Sequence, residues 1–560
     1  MRLRARSNAA DDHNPGPPNP NRPKFGLAKP ALPNPLAHVA GGAATLYLAA
    51  FLLVPLGVIL ARGLAPEGEP AGAALWNTLS DPYYLGRIWF TLGQALLSTL
   101  LTVALGLPTA LLFARYRFPG KRALTAAFTI PFVMPTVVAG IGFMALAGPR
   151  GVLGVDLRNS LAIVLAAHVF YNFAVVARLV ASFLERVAPQ LEEAAATLGA
   201  GRWRTLWRVT LPLAMPATLA AAVLTFIFCF TSFGVILILA PAARFATLEI
   251  EIYNLTARLL QLDAAAVLVL VQLVLVLGAA SLYTRLQERL AVPVAPGAAE
   301  RAPTAGTKVL IGADLLLAGG LILAPLVALL VQAFTSPAGA FPSFANFTNL
   351  LSVQPTLSFP GLWRALGNSL TFATLSTGVA LLVGFAFAYA VARGGWRVLD
   401  QASLLPLATS PITLAFGYLL TFPLLVTTFW GIPLAHALLA FPFVARTLLP
   451  ALRSMPRQQL EAAALLGAGP ARTLWRVELP LLRTALLTAA AFAFAISMGE
   501  FGATLLLVRP EYATLPVAIY DRLGRPGAVN YGQALALAAV LMLLTALVML
   551  ILQRRGRSEF

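Results

Sequence analysis

Long apolar runs alternate with short polar, basic stretches along almost the whole chain. A helix needs about 20 apolar residues to cross the hydrocarbon of a bilayer. Six runs of that order precede residue 290, at 40–61, 89–113, 123–147, 160–183, 213–240 and 264–283. Six more follow, at 309–334, 366–391, 402–427, 430–449, 482–508 and 533–552. The 402–449 stretch is read as two spans on little more than Gly431 and Pro433. The pattern predicts an all-α polytopic membrane protein of about 12 transmembrane helices. It divides into a basic, Pro-rich, disordered tail over 1–38, a first module over 39–286, a linker rich in Pro, Ala and Gly over 287–307, a second module over 308–553 and a short tail over 554–560.

Composition agrees. Hydrophobic residues make up 59% and charged residues 11%, whereas soluble domains carry about a quarter charged residues. So few charges could not cover a soluble core of this size. The net charge of +18 invites a nucleic-acid reading, but basic residues accumulate in cytoplasmic loops of membrane proteins. With the N-terminus inside, the inner loops hold Arg115, Arg117, Lys121, Arg122, Arg186, Arg202, Arg204 and Arg208, then Arg393, Arg397, Arg453, Arg457, Arg472 and Arg476. Arg509, Arg522 and Arg525 run against that trend and are outvoted. Both termini are thus expected in the cytoplasm of a plasma (inner) membrane, with lipid as neighbour and no nucleic acid. The first span itself is expected to direct insertion. The single cysteine, Cys229, lies in an apolar run and reads as a buried small side chain.

One polar segment occurs twice. Residues 191–213 read LEEAAATLGAGRWRTLWRVTLPL and residues 460–481 read LEAAALLGAGPARTLWRVELPL. Glu193 matches Glu461, Gly199 matches Gly467 and Pro212 matches Pro480, each at an interval of 268. Ala167-His168 with Ala435-His436 and Arg178 with Arg446 keep that interval upstream, and Phe233-Gly234 with Phe501-Gly502 keep it downstream. An even number of spans per copy makes the halves parallel repeats. In each loop Glu193 or Glu461 would open a short helix, where the helix dipole favours an acid. Ala194 and Ala195, or Ala462 and Ala463, would let another surface approach closely. Gly199 and Gly467 would turn the chain, and Pro212 and Pro480 suit the first turn of the returning span.

The pattern Glu-Ala-Ala, three residues, Gly, then twelve residues to Pro resembles the signature loop of type I ABC importer permeases. The likeness covers nearly the whole chain after the tail, as two fused copies of the permease module. It implies a permease subunit without its own ATPase motif, and no Gly-x-x-x-x-Gly-Lys-Ser/Thr segment occurs. It also implies two ATP-binding partner subunits, each docked on one repeated loop, and a periplasmic or lipid-anchored substrate-binding protein. No cofactor is expected on this chain, and ATP would be bound by the partners.

Residues 228–234 (FCFTSFG) and 246–253 (ATLEIEIY) are most similar to fused thiamine permeases, with ferric-iron permeases next. The implied substrate is thiamine or a phosphate ester of it, and ferric iron is the alternative. A secondary transporter of major-facilitator type also has two parallel halves, but the repeated loops argue against it. Phe230, Ser232, Phe233, Glu500 and Phe501 are the expected pathway residues. Glu500 stands in an apolar run, where a charge needs a polar cavity or a partner. Two roles are open to it, a cation-attracting wall or a hydrogen-bonded tie to a neighbouring helix. His168 and His436 read as helix-packing residues rather than metal ligands, and no metal site is expected.

Overall fold

In a computed structural model the protein is described over residues 35–557, apart from 67, 69, 122–123, 126–127, 129–130, 132–133, 186–189, 290–301, 353–359, 397–398 and 400–404. Residues 1–34 of the expected tail over 1–38, most of the linker and the last three residues lie outside the described set, while residues 35–38 already belong to the first helix, Pro35–Leu48. Among the described residues nine helices are long and apolar enough to cross a membrane: Pro35–Leu64, Pro82–Arg115, Leu161–Leu184, Trp203–Phe230, Leu262–Gln287, Ala305–Ala333, Leu362–Gly394, Gly431–Arg453 and Ala528–Ile551. A bent pair, Pro470–Leu481 with Arg483–Gly499, is a tenth crossing if taken as one span. The shorter apolar helices Thr136–Ala147 and Pro411–Thr421 stand at the third span of each half.

Each of the twelve expected runs therefore has a helix, with two corrections in each half. The third runs, expected as 123–147 and 402–427, are not single long helices among the described residues, where their main helices are the short Thr136–Ala147 and Pro411–Thr421. The fifth runs, expected as 213–240 and 482–508, are not continuous. Their helices stop at Phe230 and Gly499, and the short helices Gly234–Leu239 and Gly502–Leu507 follow the breaks. Apolar content alone concealed the interruption. Upstream, both fifth helices widen into a π-turn, at Leu206–Thr210 and Leu474–Glu478, directly before Pro212 and Pro480. A proline has no N–H for the residue four back and its ring crowds that carbonyl, so the wider turn relieves both defects.

The halves embrace reciprocally. The first span, Pro35–Leu48 with its continuation Val54–Leu64, packs on helices Leu362–Gly394 and Pro411–Thr421 of the second half. Its counterpart Ala305–Ala333 packs on Thr136–Ala147 and Pro82–Arg115 of the first. Small residues allow the approach, as usual between helices in lipid. A Cβ on Gly417 would lie 2.8 Å from Pro55, and one on Gly142 would lie 2.9 Å from the Pro325 carbonyl oxygen. Thr109 of the first half also donates to both carboxylate oxygens of Asp314, at 2.8 and 2.9 Å.

Contacts place both repeated loops on one side of the bundle. Arg393, ending its span, pairs with Glu478 of the second loop at 2.8 Å. Tyr283, near the end of the first half's last span, lies close to Arg446, which is in the helix leading into that loop. The first loop precedes the span antiparallel to the one carrying Tyr283, so it opens on the same side.

Gly142→Leu is expected to destabilise the folded chain by about 1–3 kcal/mol through overpacking, read as a lower unfolding midpoint in detergent. Gly278→Leu, where a Cβ meets nothing within 4 Å, should leave the midpoint unchanged.

Candidate functional site: a cavity at the seam and two surface loops

The two broken spans meet at the seam between the halves. Phe233 and Phe501, which are repeat mates, stack with centroids 5.9 Å apart and planes 30° apart. Each also packs on the tyrosine of its own half, Phe233 on Tyr253 and Phe501 on Tyr520. The Arg258 guanidinium lies over the Tyr253 ring, 5.6 Å from its centroid. Glycine follows each phenylalanine because the site is crowded. A Cβ on Gly234 would lie 2.7 Å from the Thr136 hydroxyl and 3.0 Å from Phe501.

Beside this stack lies a cavity of about 350 Å³ lined from both halves, including His168, Tyr171, Ser232, Phe233, Ser410, Glu500 and Phe501. Its size falls within the roughly 300–1,000 Å³ of small-molecule sites. Four of the five expected pathway residues, Ser232, Phe233, Glu500 and Phe501, come together here. Phe230 does not line it. That ring is fully buried and stacks on Phe226, with centroids 5.7 Å apart.

Glu500 is held on every side. One carboxylate oxygen accepts the Ala503 N–H at 2.9 Å. The other accepts the Thr504 N–H at 2.9 Å and the Thr504 hydroxyl at 2.7 Å, and lies 3.1 Å from His436 Nε2. His436 Nδ1 is in turn 2.8 Å from the Ser497 hydroxyl. Glu500 thus caps the short helix Gly502–Leu507 and ties the broken span to the fourth. Of its two open roles, the geometry favours the tie. The first half lacks this arrangement, because Ser232, Ile236 and Cys229 replace Glu500, Thr504 and Ser497. There His168 Nδ1 meets the Ser98 hydroxyl at 2.9 Å, and its Nε2 has no protein partner.

The repeated loops share one backbone design. Helices Gln190–Thr197 and Arg457–Leu465 each end in a Schellman turn. Ala200 N–H donates to Ala195 C=O and Gly199 N–H to Ala196 C=O; Ala468 and Gly467 repeat this toward Ala463 and Ala464. Gly199 and Gly467 sit at φ +79° and +74°, where residues with a Cβ are strained. Ala194, Glu461 and Ala462 are exposed, Ala195 is half-buried and Ala463 is buried. Pro212 and Pro480 lie exposed in the first turns of Leu211–Phe230 and Leu479–Leu481. The side chain of Glu193 lies outside the described set.

An ion pair ties each loop to its own second span, a feature that sequence reasoning missed. Arg115 meets Glu192 at 2.7 Å, and Thr210 donates to the same Glu192 oxygen at 2.7 Å. In the second half Arg393 meets Glu478 at 2.8 Å. The positions matching Glu192 and Thr210 are Leu460 and Glu478. The acid has therefore moved from one leg of the loop to the other while the arginine has kept its place. Comparing the charges column by column between the two copies would have revealed it.

Two parallel helical halves, a shared cavity between broken spans and paired loops on one face are the architecture of a membrane permease. The chain belongs to the family of binding-protein-dependent transport system inner membrane components, whose model matches residues 103–292 and 317–556. It is similar to the thiamine transport system permease protein ThiP of Haemophilus influenzae, with 29% identity, covering 90% of this chain and 95% of that one. The ThiP of Escherichia coli K12 is 28% identical over 88% of this chain and 91% of its own. The sulfate transport system permease protein CysT of Escherichia coli is 29% identical and matches 44% of this chain with 93% of its own length. The family makes this a multi-pass inner-membrane protein that works with ATP-binding and substrate-binding subunits.

Glu500→Ala should lower the unfolding midpoint markedly, since it strands several buried donors at about 1–3 kcal/mol each. Ser232→Ala, at the matching position, should barely move it. Equal shifts in the two variants would argue against the capping role.

Proposed function

We propose that this chain forms the whole translocation pathway of an ATP-driven thiamine importer. The observation that carries the reading is similarity to ThiP proteins over nearly the full length of both chains. The cavity suits the ligand. Thiamine joins an aminopyrimidine to a permanently cationic thiazolium ring, and aromatic faces attract such cations. Tyr171, Phe233 and Phe501 supply those faces. Ferric iron, the second reading, wants clustered hard ligands. Among the described residues no three His, Cys, Asp or Glu side chains come together as a metal site.

Each repeated loop docks one ATPase subunit, so one fused chain serves two. The exposed Leu198, Leu465 and Leu466, at 87–89% relative exposure, offer apolar knobs beside the small Ala194 and Ala462. Glu193 and Glu461 stand midway along the docking helices Gln190–Thr197 and Arg457–Leu465 rather than opening them as the sequence suggested, and Gly199 and Gly467 set their ends. Both loops and both termini face the cytoplasm, where the basic residues cluster. A binding protein delivers substrate on the opposite side.

The clamps Arg115–Glu192 and Arg393–Glu478 pass a push on the loop to the second span. The repeat itself supplies the test. Glu192→Leu alone should cut ATP-driven uptake at least roughly tenfold, because a buried charge left unpaired costs about 3–5 kcal/mol. Glu192→Leu with Thr210→Glu copies the second half and should restore uptake. A double variant as inactive as the single one would refute the clamp. Uptake of labelled thiamine by liposomes holding the permease, its ATPase and the binding protein tests the substrate; ATP-dependent accumulation is expected, and its absence would overturn the assignment.

A further inference from the structure

A second carboxylate at the seam is placed quite differently from Glu500. Glu249, in the short helix Leu248–Asn254, is fully buried. One of its oxygens accepts from Gln272 Nε2 at 2.6 Å, and its helix packs on Pro411–Thr421, with the Ser410 hydroxyl close to the carboxylate. Among the described residues its other oxygen, Oε2, has no donor, and neither has Gln272 Oε1. Gln272 Nε2 also lies 3.4 Å from the Thr413 hydroxyl. Glu249 and Gln272 come from the first half, and Ser410 and Thr413 come from the second. Ser410 also lines the central cavity, so a single hydroxyl separates Glu249 from it.

The cluster holds more acceptors than donors, and among the described residues no Lys or Arg forms an ion pair with Glu249. A buried carboxylate with neither a cation nor a full set of donors is costly. The repeat shows that the fold does not need it there. The residue matching Glu249 is Pro516, in the helix Leu515–Gly524 that copies Leu248–Asn254. The feature therefore belongs to one half only.

We infer that Glu249, with Gln272, Ser410 and Thr413, forms a subsite for the positively charged ring of an organic cation. As the halves shift against each other, Ser410 and Thr413 move relative to Glu249 and Gln272, and the unsatisfied acceptors open to the cavity. The charge is thereby offered during translocation rather than at rest. This rests on the thiamine reading and makes Glu249, not Glu500, the residue that reads ligand charge.

The test compares thiamine with an analogue in which a thiophene replaces the thiazolium, of like shape but uncharged. Equilibrium binding is measured on the purified permease–ATPase complex held with ATP bound and hydrolysis blocked, so that the halves are shifted, for the native chain, Glu249→Gln and Glu249→Asp. The native complex should prefer thiamine by about tenfold or more, the order expected of a charge-assisted contact. Glu249→Gln should abolish the preference while leaving ATPase association and unfolding midpoint unchanged, and Glu249→Asp should keep much of it. An undiminished preference in Glu249→Gln, or an equal loss for both ligands, would overturn the subsite and leave the thiamine reading intact. Failure of the native importer to accumulate thiamine would instead overturn both.

Discussion

The centre of this molecule is governed by two interruptions in the membrane. Backbone N–H and C=O groups have no water to bond within a bilayer, so irregular chain survives there only against protein or a polar cavity. Both fifth spans break, at residues 231–233 and 500–501, and the two breaks face each other across the seam. The second half settles its new helix N-terminus with the Glu500 carboxylate, backed by His436 and Ser497. The first half has a serine at that position and leaves His168 Nε2 open. The cavity arises where these unequal solutions meet, and its walls differ although the two halves share one plan.

The reciprocal embrace of the first spans explains how two copies act as one device. Each half holds the other through a helix laid across the seam, with Pro55 against Gly417 and Pro325 against Gly142. A displacement in one half is therefore felt in the other. At the loop end, an arginine closing each second span holds the loop, Arg115 through Glu192 on the surface helix and Arg393 through Glu478 on the opposite leg, and that span packs on the fourth, which carries His168 or His436. A continuous packed route joins each loop to the cavity wall.

Much of this was legible in the chain. The unbroken interval between Glu193 and Glu461, Gly199 and Gly467, and Pro212 and Pro480 located both loops, and both glycines take the left-handed turn their positions implied. The runs of hydrophobic residues located the long membrane helices, though not the short ones between them such as Ala73–Ser80, Leu248–Asn254 and Ala345–Leu351. What stayed hidden has physical causes. A break between two apolar helices hardly alters hydrophobicity, so Phe230 and Gly499 were read as mid-span. The partnership of His436 with Glu500 joins residues far apart in sequence, and spacing along one helix cannot reveal it. The embrace of the first spans depends on how the halves assemble, which no local pattern encodes. Glu249 was seen only as part of a motif, because its burial between halves depends on tertiary packing.

The central claim is that a motor acting on the two loops shifts the halves about the cavity. Spin labels on cysteines introduced at Leu198 and Leu466, both exposed at the ends of the loop helices, report the distance between the loops in the assembled importer. ATP binding, with hydrolysis blocked, should draw the labels together and narrow their distance distribution. A distribution unchanged by nucleotide in a complex proven to accumulate substrate would contradict the account.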